Sequence, residues 1–497
     1  MNAIQEIISI MDTGDNKAFI SYLRHKNKRE DTKNIPLFKL LETDDINSLK
    51  NLYAGAKNND AYHALSKRLY DSLVGFMANR TFETATGATH EVQRLLVVSR
   101  LFLEHSLTKT AFKCLAKAEA RALALEDFAL LNDIYHTQVQ YAHLNAKLSL
   151  DVLVQKFKAN AQKLHREEQL NIGYALLRRE LAAIQHKGKV TDLREFIVHT
   201  MEQLGISLNE VLTFRSLYQM LFIANEYAAL NSNYALIEPF AEKSYRFITA
   251  RQELAGRQLY YHIYILYFMA NIHFRNRRFN DSGDYLQKMM EQMLEQNKRY
   301  YSRFCLRYFL LLALTKNYLG APGIAIGIAE KALSTAGKKA DPADVNDLRL
   351  ALAVFYLQHS DRTALKQMVQ FTHTDAWYEK KLGMLWAIRK SLVELLMHTE
   401  FEHTELALSR IKSFKRRYKS YLAEVKESRV MDFVLLVERY ILKPEIVAAP
   451  TFKQGIMALI VPGVKEDIFV LAFLGWLLAK AERRTTYDVT LELVNRP

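Results

Sequence analysis

One spacing of small and basic residues recurs along the chain and limits what it can fold into. In the segment SLTKTAFKCLAKA, Ser106 is followed after five residues by Ala111-Phe112 and after six more by Lys117-Ala118. The same spacing occurs in three further segments, which are SNYALIEPFAEKS (232–244), RRFNDSGDYLQKM (277–289) and GAPGIAIGIAEKAL (320–333). Weaker copies begin at Lys147, Gly188, His359 and Phe401.

The copies follow one another at a nearly constant distance. Their last markers fall at residues 117, 158, 199, 243, 288, 331, 370 and 412, which gives intervals of 39 to 45 residues and a period of about 42. Such a period is typical of solenoids, in which no repeat can bury its apolar side without its neighbours. Each copy has the pattern of two amphipathic helices joined by a turn, as in 259–275 and 282–296 around RRFND.

The segment 320–333 shows how the turn would work. Gly320 and Pro322 are expected to make the bend, because glycine and proline interrupt a helical pattern. Ala325, Ala329 and Ala332 then recur at helical spacing, so the second helix is expected to lie close against the first.

This pattern resembles the tetratricopeptide repeat (TPR) family through Ala313, Gly320, Ala325-Ile326 and Lys331-Ala332-Leu333. The resemblance covers residues 95–425 and implies an all-α fold, a right-handed superhelical solenoid of antiparallel helix pairs. The period of about 42 exceeds the usual 34 residues, which predicts longer helices and leaves HEAT-like or other helix-pair solenoids as alternatives. The overall layout is also similar to TPR-like proteins of Bacteroidota, a group from which no activity carries over.

The ends of the chain depart from the period. Residues 1–90 are expected to form an irregular N-terminal helical cap, and residues 91–442 the repeats. Four of the eight prolines follow residue 443, so residues 443–497 are predicted to be a separate segment with a terminal apolar helix and a short tail. Within that tail, YDVTLELV (487–494) has a composition that favours a strand, as part of a small appended element or a final cap.

The composition indicates what kind of partner and which cellular location to expect. The formal net charge of +14 favours acidic partners. Cys114 and Cys305, the only cysteines, lie in apolar helical surroundings and are expected to be buried thiols of a cytoplasmic protein. The longest apolar run, from Ile468 to Ala479, is shorter than the roughly 20 residues that span a bilayer. No transmembrane segment is therefore predicted.

A search for chemistry in the sequence finds no metal-ligand, phosphate-loop or nucleophile motif. His398 and His403 are the nearest approach to a cluster, but residues five apart would lie about 140° apart on an ideal helix, which is poor geometry for shared ligation. We therefore expect no catalytic residue, no cofactor and no metal, and we interpret the protein as non-enzymatic.

Two sets of residues are candidates for binding a partner. In a TPR the first helix of each unit lines the concave groove, so the first set is expected to face it or, alternatively, to pack between repeats: Tyr264, Tyr267, Asn271, Arg275, Arg307 and Asn317. Asn271 and Arg275 resemble part of the carboxylate clamp of chaperone-binding TPRs, although Leu310 and Leu311 stand where further clamp residues would be.

The second set is a basic amphipathic helix at 410–419. Its basic residues are Arg410, Lys412, Lys415, Arg416, Arg417 and Lys419, beside an apolar stripe of Ile411, Phe414, Tyr418 and Tyr421. The basic face fits three alternatives, which are a solvated surface, an acidic protein partner and nucleic acid. We predict a cytoplasmic scaffold that binds a protein or peptide on the concave face of the repeats. The alternative is a nucleic-acid-binding repeat protein, and the sequence does not fix the oligomeric state.

Overall fold

Helices make up all of the regular structure in the described part of the chain. The structure is a computed structural model that describes residues 3–26, 33–43, 60–84, 87–187, 193–206, 213–230, 234–337, 340–425, 427–460 and 466–496. No strand occurs in these ranges, and the helices pack in neighbouring pairs. The predicted all-α class is confirmed, whereas the superhelical path, its handedness and the period of about 42 stay predictions.

The chain divides into two compact units, Met1–Phe157 and Lys158–Pro497. The division falls inside one long helix, α8 (Leu150–Lys187), while the boundaries near residues 90 and 442 stay predictions. The other helices of the first unit are α1 (Ala3–Ile10), α2 (Thr13–Lys26), α3 (Asn34–Thr43), α4 (Asp60–Thr84), α5 (Ala88–Glu104), α6 (Thr108–Leu125) and α7 (Phe128–Gln140).

The first unit has a small aromatic core among α1 to α4. Phe19 lies at its centre, with the ring of Phe38 at 4.9 Å and that of Phe76 at 5.2 Å between centroids. All three side chains are buried, together with Leu23 and Leu69. The described residues of the predicted N-terminal cap are therefore helical and have a core of their own.

The second unit continues with helices α9 to α25. Their bounds are α9 (Leu193–Gln203), α10 (Phe214–Leu230), α11 (Glu238–Thr249), α12 (Gln252–Arg257), α13 (Leu259–Arg275), α14 (Phe279–Lys298), α15 (Tyr301–Tyr318), α16 (Pro322–Thr335), α17 (Pro342–Gln358), α18 (Thr363–Val369), α19 (Asp375–Leu382), α20 (Met384–Glu400), α21 (Thr404–Glu424), α22 (Ser428–Leu442), α23 (Pro450–Met457), α24 (Ile468–Glu482) and α25 (Thr486–Asn495). No described helix is both long enough and apolar enough to cross a membrane.

Five helices, α10, α13, α15, α17 and α20, form a series that we call the first helices. They begin 41 to 45 residues apart, at Phe214, Leu259, Tyr301, Pro342 and Met384. Each of them contacts the next one, and α13, α15, α17 and α20 each contact the helix that follows in the chain. Neighbouring pairs of helices therefore follow one another along this part of the chain.

The turns of these helix pairs share one backbone geometry. In four of these helix pairs the second residue after the first helix has a positive φ, at Arg277, Gly320, Ser360 and Glu402, and Ser106 has one at the same position after α5. The next residue donates its N–H to a carbonyl five positions earlier at 2.8–3.0 Å, and the pairs are Leu107 to Phe102, Arg278 to His273, Ala321 to Lys316, Asp361 to Tyr356, and His403 to His398. This is the Schellman arrangement, in which a left-handed residue ends a helix and turns the chain back.

The bend in 320–333 has the predicted origin. Gly320 has φ +87°, and Pro322 is the first residue of α16. Ala325, Ala329 and Ala332 are buried, as their helical spacing predicts.

Gly320→Val should lower the free energy of unfolding by about 1–3 kcal/mol, because a β-branched residue is strained at positive φ. Lack of space is not the cause, since no atom lies within 4 Å of the position that a Cβ would take. Urea denaturation followed by circular dichroism measures the loss. Gly320→Asn is the matched control, because asparagine tolerates this conformation. Equal losses for both variants would contradict a backbone origin.

Residues 466–496, which we call the C-terminal hairpin, fold back onto the first helices. The hairpin contains α24 and α25, so the strand predicted from the composition of 487–494 is wrong and the segment is helical. Packing explains the difference, because Val489, Leu493 and Val494 are buried at helical spacing. Gly475 makes the close approach possible, since a Cβ there would lie 2.5 Å from Thr490 Oγ1.

Candidate functional site

Polar side chains of successive first helices bond one another at similar sequence separations. Between α15 and α17, Arg307 Nε donates to Asp344 Oδ1 at 2.8 Å, and Asn317 Nδ2 donates to Gln358 Oε1 at 3.1 Å. The two bonds span 37 and 41 residues. A nearly constant separation over ten residues of helix means that the two helices run parallel.

Arg307 joins three of the first helices. Besides its bond to Asp344, its Nη1 donates to the hydroxyl of Tyr264 on α13 at 3.0 Å. Burial opposes its charge, yet the carboxylate of Asp344 raises the pKa of the Arg307 guanidinium. The side chain keeps 28% of its surface exposed. It is therefore held in place and still reachable from solvent.

Arg275, near the end of α13, pairs with Asp467 at the start of α24. The two side chains are 18% and 13% exposed, and the rings of Tyr234 and Phe469 lie 5.6 and 5.8 Å from the guanidinium. Burial opposes ionisation of Asp467, but the charges of Arg275 and Arg389 lower its pKa below the ordinary value. This ion pair anchors the C-terminal hairpin to the first helices.

A further carboxylate, that of Asp347, lies between α17 and α20. Trp386 Nε1 donates to Asp347 Oδ1 at 2.6 Å. Burial raises the pKa of Asp347 to about 6, although the bond from Trp386 and the charge of Arg389 act in the opposite direction. Arg389 places its guanidinium 5.3 Å from the centre of the Phe469 ring, and no carboxylate of a described residue lies within 4.0 Å of it.

We call these groups, together with Tyr267 and Asn271, the polar row. Its members are half-buried or lie at the edge of the core, and they are Tyr267, Asn271, Arg275, Arg307, Asp344, Asp347, Trp386 and Arg389. Asn271 extends the row to α10, because its Nδ2 donates to Asn225 Oδ1 at 2.8 Å. Burial raises the pKa of Tyr267 to about 12, so its hydroxyl is protonated and can donate at neutral pH.

Asp347→Asn should stabilise the protein above about pH 6 and change little near pH 4. The pKa of Asp347 in the folded protein, about 6, lies above the ordinary value of about 3.9, so stability falls as the pH rises between these values. Asparagine still accepts from Trp386 but carries no charge. The expected gain at about pH 8 is on the order of 1–3 kcal/mol, measured by urea denaturation.

The matched control is Asp432→Asn, which makes the same substitution on an exposed part of α22 and should change the stability by less than about 0.5 kcal/mol. A loss of stability at both pH values in Asp347→Asn would mean that the charged carboxylate itself is needed to hold Trp386.

The structure separates the predicted groove residues into two groups. The polar row contains four of them, Tyr267, Asn271, Arg275 and Arg307. Asn317 is 0% exposed and bonds Gln358, so the predicted role of Asn317 in a groove has to be corrected. Tyr264 is also buried, and its hydroxyl is occupied by Arg307. Both residues bond a neighbouring first helix, which fits the alternative interpretation of packing between helix pairs.

No protein-family model, curated protein or solved structure matches the chain. The site is therefore defined by its geometry alone.

Sequence reasoning missed Asp344, Asp347, Trp386, Arg389 and Asp467. A signal for four of them was present, because Trp386 and Arg389 stand 42 residues after Asp344 and Asp347, a distance that equals the predicted period. Nothing local marks Asp467 as a member of the site, since it reaches Arg275 across 192 residues of sequence.

The basic helix at 410–419 lies in α21, and half of its charge is used within the fold. Three of its cations form ion pairs with neighbouring helices: Arg410 with Glu394, Lys415 with Glu438, and Arg417 with both oxygens of Glu379. Lys412, Arg416 and Lys419 are exposed, and none of them pairs with a described residue. Ile411, Phe414 and Tyr418 are buried, so the apolar stripe is core.

His398 and His403 lie closer together than an ideal helix would allow. Their Nδ1 atoms are 3.4 Å apart, because α20 ends at Glu400 and the left-handed Glu402 turns the chain back before His403. The sequence-based argument against proximity was therefore wrong. Among the described residues, no group of three or more His, Cys, Asp or Glu side chains could hold a metal ion. Cys114 and Cys305 are free thiols, but they are half-buried and not fully buried, so the predicted burial is corrected.

Proposed function

We propose that the second unit is a TPR-like scaffold that binds a peptide or protein segment along the polar row. In this proposal the first helices line the inner, concave face of a superhelical array, and the protein acts in the cytoplasm without catalysing a reaction. The observation that carries the proposal is the polar row itself. Polar side chains bond α13 to α15, α15 to α17 and α17 to α20, and most members of the row remain partly exposed.

The hydrogen bonds within the row support a role in recognition. Arg307, Asp347 and Trp386 are fixed by bonds of 2.6–3.0 Å before any partner arrives. A site that is already ordered loses little side-chain entropy on binding, which favours affinity. Arginine, tyrosine and tryptophan are also the residues that contribute most to binding at protein interfaces.

Two members of the row are open to a partner. Arg389 places its guanidinium over the Phe469 ring, and no carboxylate of a described residue lies within 4.0 Å of the guanidinium. Tyr267 carries a protonated hydroxyl at neutral pH. A peptide can offer carbonyl or carboxylate acceptors to both groups, while its apolar side chains meet Trp386.

The experiment is affinity capture with the immobilised full chain from an extract of the source organism, followed by titration of the purified partner. We expect Arg389→Ala combined with Tyr267→Ala to weaken binding by about 30-fold or more, the usual effect of losing interface residues worth 2 kcal/mol. Arg416→Ala, on the exposed side of α21, is the matched control. Unchanged binding by the double variant Arg389→Ala, Tyr267→Ala would contradict the proposal.

A second candidate function is nucleic-acid binding through α21. The observation in its favour is that Lys412, Arg416 and Lys419 are exposed at spacings of four and three residues, so they share one side of the helix. Binding dominated by phosphate contacts should weaken steeply between about 50 and 200 mM salt.

Adjacent arginines give a matched test of this candidate. Arg416→Glu should remove binding to a duplex oligonucleotide without changing the melting temperature. Arg417→Glu should instead lower the melting temperature, because it replaces the ion pair with Glu379 by two like charges. Binding that is equally strong in Arg416→Glu at low salt would exclude this face.

A further inference from the structure

The turn between α20 and α21 places two imidazoles side by side. In its Schellman arrangement the N–H of His403 donates to the carbonyl of His398 at 2.8 Å. The side chains at these two positions of the motif usually make an apolar contact. Here both positions are histidine, so the backbone that ends the helix also fixes the distance between two metal-ligating groups.

The separation of the rings matches the requirements of a metal better than those of a hydrogen bond. The Nδ1 atoms are 3.4 Å apart, whereas a hydrogen bond from N–H usually spans about 2.7–3.2 Å. Two imidazole nitrogens that each lie about 2.0–2.1 Å from a tetrahedral Zn²⁺ are about 3.3–3.4 Å from each other. The turn therefore presents the two nitrogens at the spacing of a chelate.

The exposure of the pair also allows a cation to bind. Both histidines are half-buried, so an ion can reach them and water can complete its coordination.

We propose that His398 and His403 bind a first-row divalent cation through their Nδ1 atoms. Imidazole nitrogens favour Zn²⁺, Cu²⁺ and Ni²⁺ over Mg²⁺ and Ca²⁺. In the bound form each ring carries its proton on Nε2, and two or more waters fill the remaining positions. The ion joins the end of α20 to the start of α21 and stabilises the turn between them, away from the polar row.

The test uses the full chain and Zn²⁺ itself. Isothermal titration should detect one Zn²⁺ per chain that is lost in His398→Gln and in His403→Gln, and Zn²⁺ should raise the melting temperature of the wild type only. Mg²⁺ should have no such effect. His373→Gln, on an exposed histidine outside the turn, should keep the site.

A gain of affinity provides a second readout that a purely structural role would not produce. Arg410→Gln removes a positive charge from α21, and it also frees Glu394 Oε1 from its ion pair at 3.0 Å. We expect this variant to bind Zn²⁺ more tightly than the wild type. Equal Zn²⁺ binding by the wild type and the double variant His398→Gln, His403→Gln would overturn the proposal, as would the absence of any binding by wild-type protein.

Discussion

Trp476→Ala should lower the free energy of unfolding of the second unit by about 3–5 kcal/mol, the usual range for removing a fully buried aromatic side chain. Trp476 lies in α24 and is 1% exposed. Its ring packs 6.1 Å from that of Tyr440 on α22, and it shares a small cavity with Val354 of α17 and Leu396 of α20. The substitution would therefore open a void where the C-terminal hairpin meets three other helices.

Urea denaturation followed by circular dichroism measures this loss of stability. Two further variants test its origin. Trp476→Phe keeps most of the apolar contact but loses the bond from Nε1 to Glu400, which is 2.7 Å long, so it should cost about 1–3 kcal/mol. Trp377→Ala, at a half-buried tryptophan of α19, should cost less than Trp476→Ala. If the two alanine variants were equally stable, the hairpin would not be part of the core.

Gly475→Ala should destabilise the same unit by about 1–3 kcal/mol, because an added methyl group has no room. The new Cβ would lie 2.5 Å from Thr490 Oγ1 and 3.1 Å from the Thr490 Cα. Since the second of these atoms is backbone, α24 and α25 would have to move apart. Thr490→Ala should rescue only part of the loss, because it removes the hydroxyl and leaves the Cα in place.

Gly327→Ala is the control for Gly475→Ala. Gly327 lies inside α16, and no atom lies within 4 Å of its Cβ position. The same substitution should therefore stabilise the protein by about 0.5–1 kcal/mol, the ordinary advantage of alanine over glycine in a helix. Opposite signs at the two positions are the expected result in thermal or urea denaturation. A loss at both positions would indicate that the helix, and not the contact with Thr490, is sensitive.

The sequence predicts the helical turns well because their determinants are local. Gly320, Pro322 and the alanines that follow determine one bend through backbone conformation and side-chain size, and both act within a few residues. Ser106 and Arg277 begin two other copies of the pattern, and both have the positive φ of the turn. The weaker copies that begin at His359 and Phe401 precede such a residue by one position.

The C-terminal hairpin could not be predicted from the sequence, because its contacts are distant along the chain. Asp467 meets Arg275 across 192 residues, and Tyr487 donates to the carbonyl of Asn317 across 170. The β-leaning composition of 487–494 is outweighed by burial of its apolar residues on one side of α25. Local propensity has little influence where packing decides the structure.

Residues of the candidate site were found or missed for similar reasons. Arg275 and Arg307 were identified because they follow the repeat, but the sequence could not show that Asp467 and Asp344 neutralise them. For Asn317 the sequence predicted a helix correctly, but its burial was not visible in the sequence. The pair of His398 and His403 was rejected because the helix was taken to continue, whereas it ends between them.

The tie between Arg275 and Asp467 affects how the second unit folds. Helix pairs that touch only their neighbours can form one after another and can fray from either end. Here α13 and α15 also bond the C-terminal hairpin, which is synthesised about 150–200 residues later. The native contacts of α13 and α15 therefore cannot all form until the hairpin has been synthesised. Contacts between such distant segments slow folding.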